Sequence, residues 1–339
     1  MVSIEIIKPG VLSTIQDLGR IGNQQFGVIK SGAMDEFALR TANILVGNEE
    51  NEAAIEMTLI GPTIRFNCNT LVAICGGDFS PTIDGELVPK WRPVFIKKGT
   101  TLKMGGARKQ IRAYLAVAGG LNIPVVMGSR STYLRAGIGG FMGRKLLSGD
   151  VIEIINPIQK AIDIDQSYIS FPKFISSQIK PQYESSNVIR IVRGSEYHLF
   201  SKKSKELLLS KPFILSSDSD RMGYRLDGHR IQLHKEEEMV SSSVTFGTIQ
   251  VPANGSPIIL MADHQTTGGY PKIGQVIAVD LPLLAQMNIG SEIYFQEVSF
   301  EEAERLFIER ERDIQILKHV MRKELINFLG ELSYELYRY

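Results

Sequence analysis

The sequence predicts a mainly β protein in two domains, closed by an amphipathic helix. Short runs of β-branched or aromatic residues, punctuated by Gly, Pro and Asp, recur along most of the chain, which is the pattern of antiparallel barrels or sandwiches. At 339 residues the chain exceeds the roughly 250–300 at which single cores stop growing. From residue 299 onward the rhythm changes to apolar residues at three- and four-residue steps.

The strand-like runs are 3–7, 63–66, 71–74, 94–96, 112–118 and 151–155, then 188–192, 231–233, 258–261, 276–279 and 292–295. The clearest internal helix spans 34–46, where Phe37, Leu39, Ala42, Ile44 and Leu45 fall near helical spacing and Gly47-Asn48 supplies the stop. Between the two groups of strands, Pro157, Pro172 and Pro181 with Ser176-Ser177 and Ser185-Ser186 break the periodicity, so the linker is set at 157–187. The domains are therefore 1–156 and 188–298, with 299–339 as a helical tail. Each domain ends in a comparable phrase, Gly149-Asp-Val-Ile-Glu-Ile and Gly290-Ser-Glu-Ile-Tyr-Phe, a hint of two related barrels. In the tail, Ser299 and Glu302 form a capping box ahead of Ile314, Leu317, Met321, Leu325, Phe328 and Leu332. That stripe packs on the protein's own barrel or docks a partner protein.

Composition excludes several classes. Lys+Arg 38 against Asp+Glu 37 gives a net charge of +1, with no dense basic patch and one Trp, so neither nucleic acid nor an anionic membrane has an electrostatic footprint. No run of about 18 apolar residues suggests a membrane span, and the mixed-charge start reads as a first strand rather than a signal peptide. Cys68 and Cys75 fit neither zinc spacing nor a secreted disulfide framework, so reduced thiols in a cytoplasmic protein are expected. His229 and His234 lack a third ligand, and no metal site is expected.

The densest chemistry is His264-Gln265-Thr266-Thr267-Gly268-Gly269-Tyr270, directly after the apolar run that ends at Asp263. A loop whose side chains nearly all donate or accept hydrogen bonds, and whose glycines allow close backbone approach, suits a ligand; the alternative is a polar turn. Asp263 and His264 are the acid–base candidates, with Asp263 as a turn residue the competing reading. Arginines keep company with Gly, Ser and Asp at Asp17-Leu-Gly-Arg20, Gly128-Ser129-Arg130, Gly143-Arg144 and Asp220-Arg221-Met-Gly-Tyr-Arg225. A planar guanidinium matches a carboxylate or phosphate bidentately, although structural Arg–Asp pairs look the same in sequence. There is no Walker loop: Gly139-Gly-Phe-Met-Gly-Arg-Lys145 is followed by Leu146 and offers no hydroxyl for a metal. No G-x-S-x-G elbow occurs either.

Thr14-Ile-Gln-Asp-Leu-Gly-Arg20, Ser31-Gly-Ala-Met-Asp35 with Ala42-Asn-Ile-Leu-Val-Gly-Asn48, Gly128-Ser-Arg-Ser-Thr132, Ser219-Asp-Arg-Met-Gly-Tyr-Arg225, Gly247-Thr-Ile-Gln-Val-Pro252 and residues 263–271 together resemble the allophanate hydrolase subunit 2 family, also called the biotin-dependent carboxyltransferase family. Within it the chain is most similar to the branch belonging to ATP-dependent 5-oxoprolinase, in order, to about residue 298. The resemblance implies two cyclophilin-like β-barrels, partner subunits B and A, and ATP as the cofactor, with Mg2+, bound at or with a partner. It implies no biotin on this chain, which has no Ala-Met-Lys-Met attachment motif. The implied reaction is the opening of 5-oxo-L-proline to L-glutamate.

Residue chemistry, rather than the family, suggests the roles. Such a site needs a carboxylate clamp, oxyanion donors and a proton carrier. Arg130 or Arg221 suits the clamp, Thr266, Thr267 and the Gly268-Gly269 backbone suit the donors, and Asp263 or His264 moves the proton. Arg20, Asp35, Ser129, Asp220 and Arg225 are further candidates, with Gln265 and Tyr270 as substrate contacts. Two other functions stay open: a regulatory partner that antagonises a histidine-kinase inhibitor, itself a B-type subunit, and a carboxyltransferase-like component acting on urea or another small amide.

Overall fold

The computed structural model describes residues 2–157, 166–171, 183, 187–235, 237 and 239–334, with side chains of the last helix through residue 327. Most of the 157–187 segment lies outside the described residues, Pro172 and Pro181 included; within it Tyr168–Ser170 forms an edge strand against Pro93–Ile96. The chain divides into two compact units, Met1–Gly19 with Asp35–Lys180 and Glu311–Tyr339, and Arg20–Met34 with Pro181–Arg310.

The first unit is built on two six-stranded sheets. One runs Val151–Glu153, Ser3–Lys8, Thr63–Phe66, Thr101–Lys103, Thr82–Ile83 and Glu86–Leu87. The other runs Tyr168–Ser170, Pro93–Ile96, Thr70–Gly76, Arg112–Val117, Ala54–Thr58 and Leu12–Gln16. Alternation along the first strand sends Ile4 and Ile6 into the core with Ile64, Phe66, Leu102 and Ile152. The second sheet is covered on its other face by the helix Glu36–Leu45, which packs on Thr70–Gly76 and Arg112–Val117. Every residue of those two strands is consequently buried, which is why they read as continuous apolar runs. The helix begins at Asp35, whose carboxylate accepts from the Ala38 N–H at 2.9 Å.

The second unit is a closed seven-stranded barrel: Val188–Arg193, Lys272–Val276, Thr248–Gln250, Ile258–Leu260, Gly223–Asp227, Phe213–Leu215 and Glu292–Glu297. It closes through parallel pairing of the last strand with the first, Val188 opposite Tyr294. Period-two alternation puts Ile189, Ile191, Tyr224, Leu226, Ile293 and Phe295 inside. The run 231–233 is not a strand. Its backbone is claimed by the helix Lys202–Ser210: the Gln232 carbonyl accepts from Ser201 N–H and Ser204 Oγ, and Gln232 N–H donates to Ser204 Oγ. The run 276–279 overlaps its strand only at Val276 and turns into Asp280, which is held bidentately by Arg190 at 2.6 and 3.0 Å.

The mainly β class with a closing helix is what the structure shows. The tail helix spans Phe300–Tyr334. Ser299 Oγ accepts from Glu302 N–H at 3.2 Å, one half of the capping box, while the Glu302 carboxylate turns to Arg305. Ile314, Leu317, Met321 and Leu325 are buried, as the stripe requires; the side chains of Phe328 and Leu332 lie outside the described residues. Among the described residues no helix is long and apolar enough to cross a membrane.

Candidate functional site

In the second unit, the segment after Ile258–Leu260 leaves the barrel at Asp263, and a buried ion pair stands at that exit. Arg221 Nε and Nη2 donate to the two oxygens of Asp263 at 3.0 and 3.1 Å, and Asp263 N–H returns to the Arg221 carbonyl at 2.8 Å. Arg221 Nη2 also reaches the Gly32 carbonyl at 2.5 Å. With the two side chains 10% and 7% exposed, the pair holds the loop base rigidly, and its partial desolvation is offset by planar, two-point geometry. Arg221, one of the two arginines offered as a carboxylate clamp, thus holds an internal carboxylate, that of Asp263.

His264 follows, 6% exposed. Its Nδ1 lies 2.5 Å from the Gln265 carbonyl, an acceptor, so Nδ1 carries the proton and the lone pair is on Nε2. Burial pushes its pKa below the ordinary value and the Lys30 ammonium adds to that, against opposing pulls from the Gln265 carbonyl and the Asp263 carboxylate. The ring is thus a neutral base at physiological pH. Gln265 and Thr266 are half-buried and Thr267 is exposed; Thr267–Gly268 pairs with Ser242–Ser243, and the Thr266 carbonyl accepts from Val244 N–H.

Gly268 sits in close approach: a Cβ would stand 2.3 Å from Gln250 Nε2, so the buried amide would have to move to admit one. Gln250, 1% exposed, donates from that nitrogen to the Tyr270 carbonyl at 3.3 Å. Lys272, just past the loop, donates from its backbone to Glu196 at 3.0 Å and from Nζ to Ser242 Oγ. Gln250, Lys272, Glu196 and Ser242 are loop-positioning residues absent from the sequence candidates. The signal for Gln250 was an amide inside an otherwise apolar phrase, Thr-Ile-Gln-Val-Pro; the other three carried none.

Gly269 and Tyr270 line a cleft of about 690 Å³ with Ile231, Leu233, Val251 and Pro271. Among the described residues that line it, the one carboxylate or cation is Glu237. Asp220 sits in the turn that opens the strand Gly223–Asp227 and accepts from Met222 and Gly223 N–H, while Arg225 lies in that strand opposite Ile258, exposed, its backbone tied to Ser219. Arg20, 1% exposed, has its backbone N–H on the Lys30 carbonyl at 2.7 Å.

In the first unit, two sequence motifs meet around Asp17, 1% exposed. Its Oδ1 accepts from Gly19 N–H at 2.8 Å, Ser129 Oγ at 2.7 Å and Ser131 Oγ at 2.5 Å, and its Oδ2 from Arg130 N–H at 2.6 Å. The Arg130 side chain lies outside this hub, 26% exposed, with Nε on the Ile123 carbonyl at 3.2 Å and Nη1 3.4 Å from Glu52. Asp35 is the helix cap described above and also donates its N–H to Tyr114 Oη, which in turn donates to Glu56 at 2.7 Å. The Gly139-Gly140 turn folds onto Thr132, whose Oγ1 lies 1.8 Å from where a Cβ on Gly140 would sit. Among the described residues, no group of three or more His, Cys, Asp or Glu could hold a metal ion.

Comparison with known proteins adds the relationships. The model of the carboxyltransferase domain, subdomain A and B, matches residues 26–297. A Haemophilus influenzae protein, named as the C-type subunit of 5-oxoprolinase, is 41% identical over 303 residues, 89% of this chain and 94% of its own. The Escherichia coli protein of the same name is 41% identical over 301 residues, 88% and 93%. The crystal structure of the Kluyveromyces lactis urea amidolyase superposes with a TM-score of 0.85 at 27% identity, covering 93% of this chain and 20% of that one.

Proposed function

The chain belongs to the carboxyltransferase family of subdomains A and B, and from that premise we propose that it is the C-type subunit of a heteromeric 5-oxoprolinase, opening 5-oxo-L-proline to L-glutamate with ATP hydrolysis. The observation that carries this reading is the 41% identity to two proteins of that name across about nine-tenths of both chains.

A five-membered lactam is an amide that resists water. ATP, when bound, would supply the drive by phosphorylating the amide oxygen, so that water adds to the carbonyl carbon, the ring C–N bond breaks with the nitrogen leaving as the amine, and phosphate is released last. The residues of this chain supply the rest. His264, neutral and with its lone pair on Nε2, accepts the proton of the attacking water; the Nδ1–H bond to Gln265 fixes that tautomer. Arg221 and Asp263 hold the ring's backbone in place. The Thr266 and Thr267 hydroxyls are the donors offered to a developing oxyanion. The cleft offers a triphosphate no cation among its described lining residues, where the one charged group is the acidic Glu237, and Arg221 and Arg190 are committed to internal acids. We therefore place ATP and its Mg2+ on the A or B subunit. A cytoplasmic location, where ATP is abundant, goes with this reading.

The likeness to the urea amidolyase structure favours a second reading, a carboxyltransferase component for urea or a related amide. Glutamate release from 5-oxoproline, measured with the purified chain alone and with its A and B partners, with and without ATP, separates the two. Release only from the complete mixture with ATP is the expected result. Turnover that needs bicarbonate and a biotinylated carrier instead favours the second.

A further inference from the structure

We propose that Ser31 is a substrate-contacting residue of the His264 site, its hydroxyl held in reserve for an oxygen or N–H of the bound small amide. The proposal rests on the small-amide reading above, and three observations carry it.

Ser31 is 2% exposed, and its Oγ has no hydrogen-bond partner. A buried hydroxyl without a partner is a standing penalty in the free protein. Its backbone is also in the left-handed region, φ 54°, where a serine is strained and a glycine is not; Gly32 follows at φ 95°. The third observation is its position. The residue before it, Lys30, is the cation that acts on His264, and the carbonyl of the residue after it, Gly32, accepts from Arg221 at 2.5 Å. Ser31 is thus held on one side by the Gly32–Arg221 hydrogen bond at the base of the loop 263–270, and follows on the other a cation whose field reaches His264.

Two other buried hydroxyls, Thr41 and Thr70, also have no partner, yet they sit in a regular helix and a regular strand with ordinary backbone angles. Ser31 alone among these combines a strained backbone, an unmet hydroxyl and a neighbour, Gly32, hydrogen-bonded to Arg221 of the candidate site. Glycine would relieve the strain and remove the unmet group together, so serine at this position is a cost to folding that ligand binding would recover. A hydroxyl is both donor and acceptor and can serve either the carbonyl or the N–H of an amide.

The test uses the chain assembled with its partner subunits. Melting temperature and equilibrium binding of 5-oxoproline and of urea are measured for wild type, Ser31→Gly and Ser31→Ala. Both variants are expected to melt no lower than wild type, and Ser31→Gly roughly 2–4 °C higher. Both are expected to bind ligand about fivefold to tenfold more weakly, the loss of one hydrogen bond. Ser31-dependent binding of urea without binding of 5-oxoproline supports the proposal while overturning the oxoprolinase reading. Binding of 5-oxoproline that is indifferent to both substitutions overturns the proposal and leaves that reading standing. Failure of both ligands to bind, or variants that melt well below wild type, also overturns it.

Discussion

Two arginine–aspartate neighbourhoods, one in each unit, use the same residue types in opposite ways. At Asp17 the carboxylate is saturated by neutral donors, two serine hydroxyls and two backbone N–H groups, and the adjacent Arg130 side chain is left half-buried with a carbonyl and Glu52 for company. At Asp263 the carboxylate is taken by the guanidinium itself, and the group left over is the neutral ring of His264. The first is a cross-brace between segments 112–114 residues apart in the chain. The second is a base plate under a polar loop. What an arginine can offer a ligand depends on whether the neighbouring acid has already found other donors.

Breaking the first neighbourhood should have the largest effect. Asp17→Ala leaves two hydroxyls and two N–H groups buried without their acceptor, and we expect a loss of about 3–5 kcal/mol in urea unfolding. Arg130→Met, changing only the outward side chain, should cost within about 1 kcal/mol in the same assay. Arg221→Met comes next, at about 3 kcal/mol, because it strands the Asp263 carboxylate; adding Asp263→Leu should restore most of that loss, the signature of a coupled pair.

These contrasts explain what was legible in the sequence. The mainly β class, the helix at Glu36–Leu45 and the tail stripe could all be read because burial on both faces, or at helical spacing, leaves an apolar pattern. Leu12–Gln16 and Ala54–Thr58 escaped notice because they carry buried Ser13, Thr14, Gln16 and Glu56, whose burial depends on partners elsewhere in the chain. The run 231–233 looked like a strand because composition cannot show that a helix cap competes for its backbone. The loop at 263–270 stood out by residue chemistry, and the structure brings Asp263, His264 and Arg221 together. The division of labour among them could not be read, since an arginine that binds a ligand and one that binds an aspartate leave the same sequence trace. Asp35 and Asp220 belong to a cap and a turn, positions where acids are common for local reasons, and Arg225 is an exposed strand residue.

A smaller effect is expected at the loop itself. Gly268→Ala places a methyl against the Gln250 amide and should cost about 1–3 kcal/mol, with Gln250→Ala in the same chain relieving part of it. The smallest concerns pH. The folded-state pKa of His264 is held below its ordinary 6.5, so the unfolded chain binds the proton more readily. Its contribution to stability is complete above pH 6.5 and is lost as pH falls below that value, levelling off once the folded-state pKa is passed. His264→Gln should flatten this part of the stability–pH curve between about pH 7 and 5, and an unchanged slope would mean that the ring is as easily protonated folded as unfolded.

The central claim is that a neutral His264, braced by Arg221 and Asp263, moves the proton in amide opening. Its most direct test is the turnover of His264→Gln in the assembled complex with ATP, alongside its melting temperature. The account predicts a fall in kcat of roughly 10²–10⁴-fold with the complex intact and little change in melting. Turnover within about twofold of wild type would contradict it.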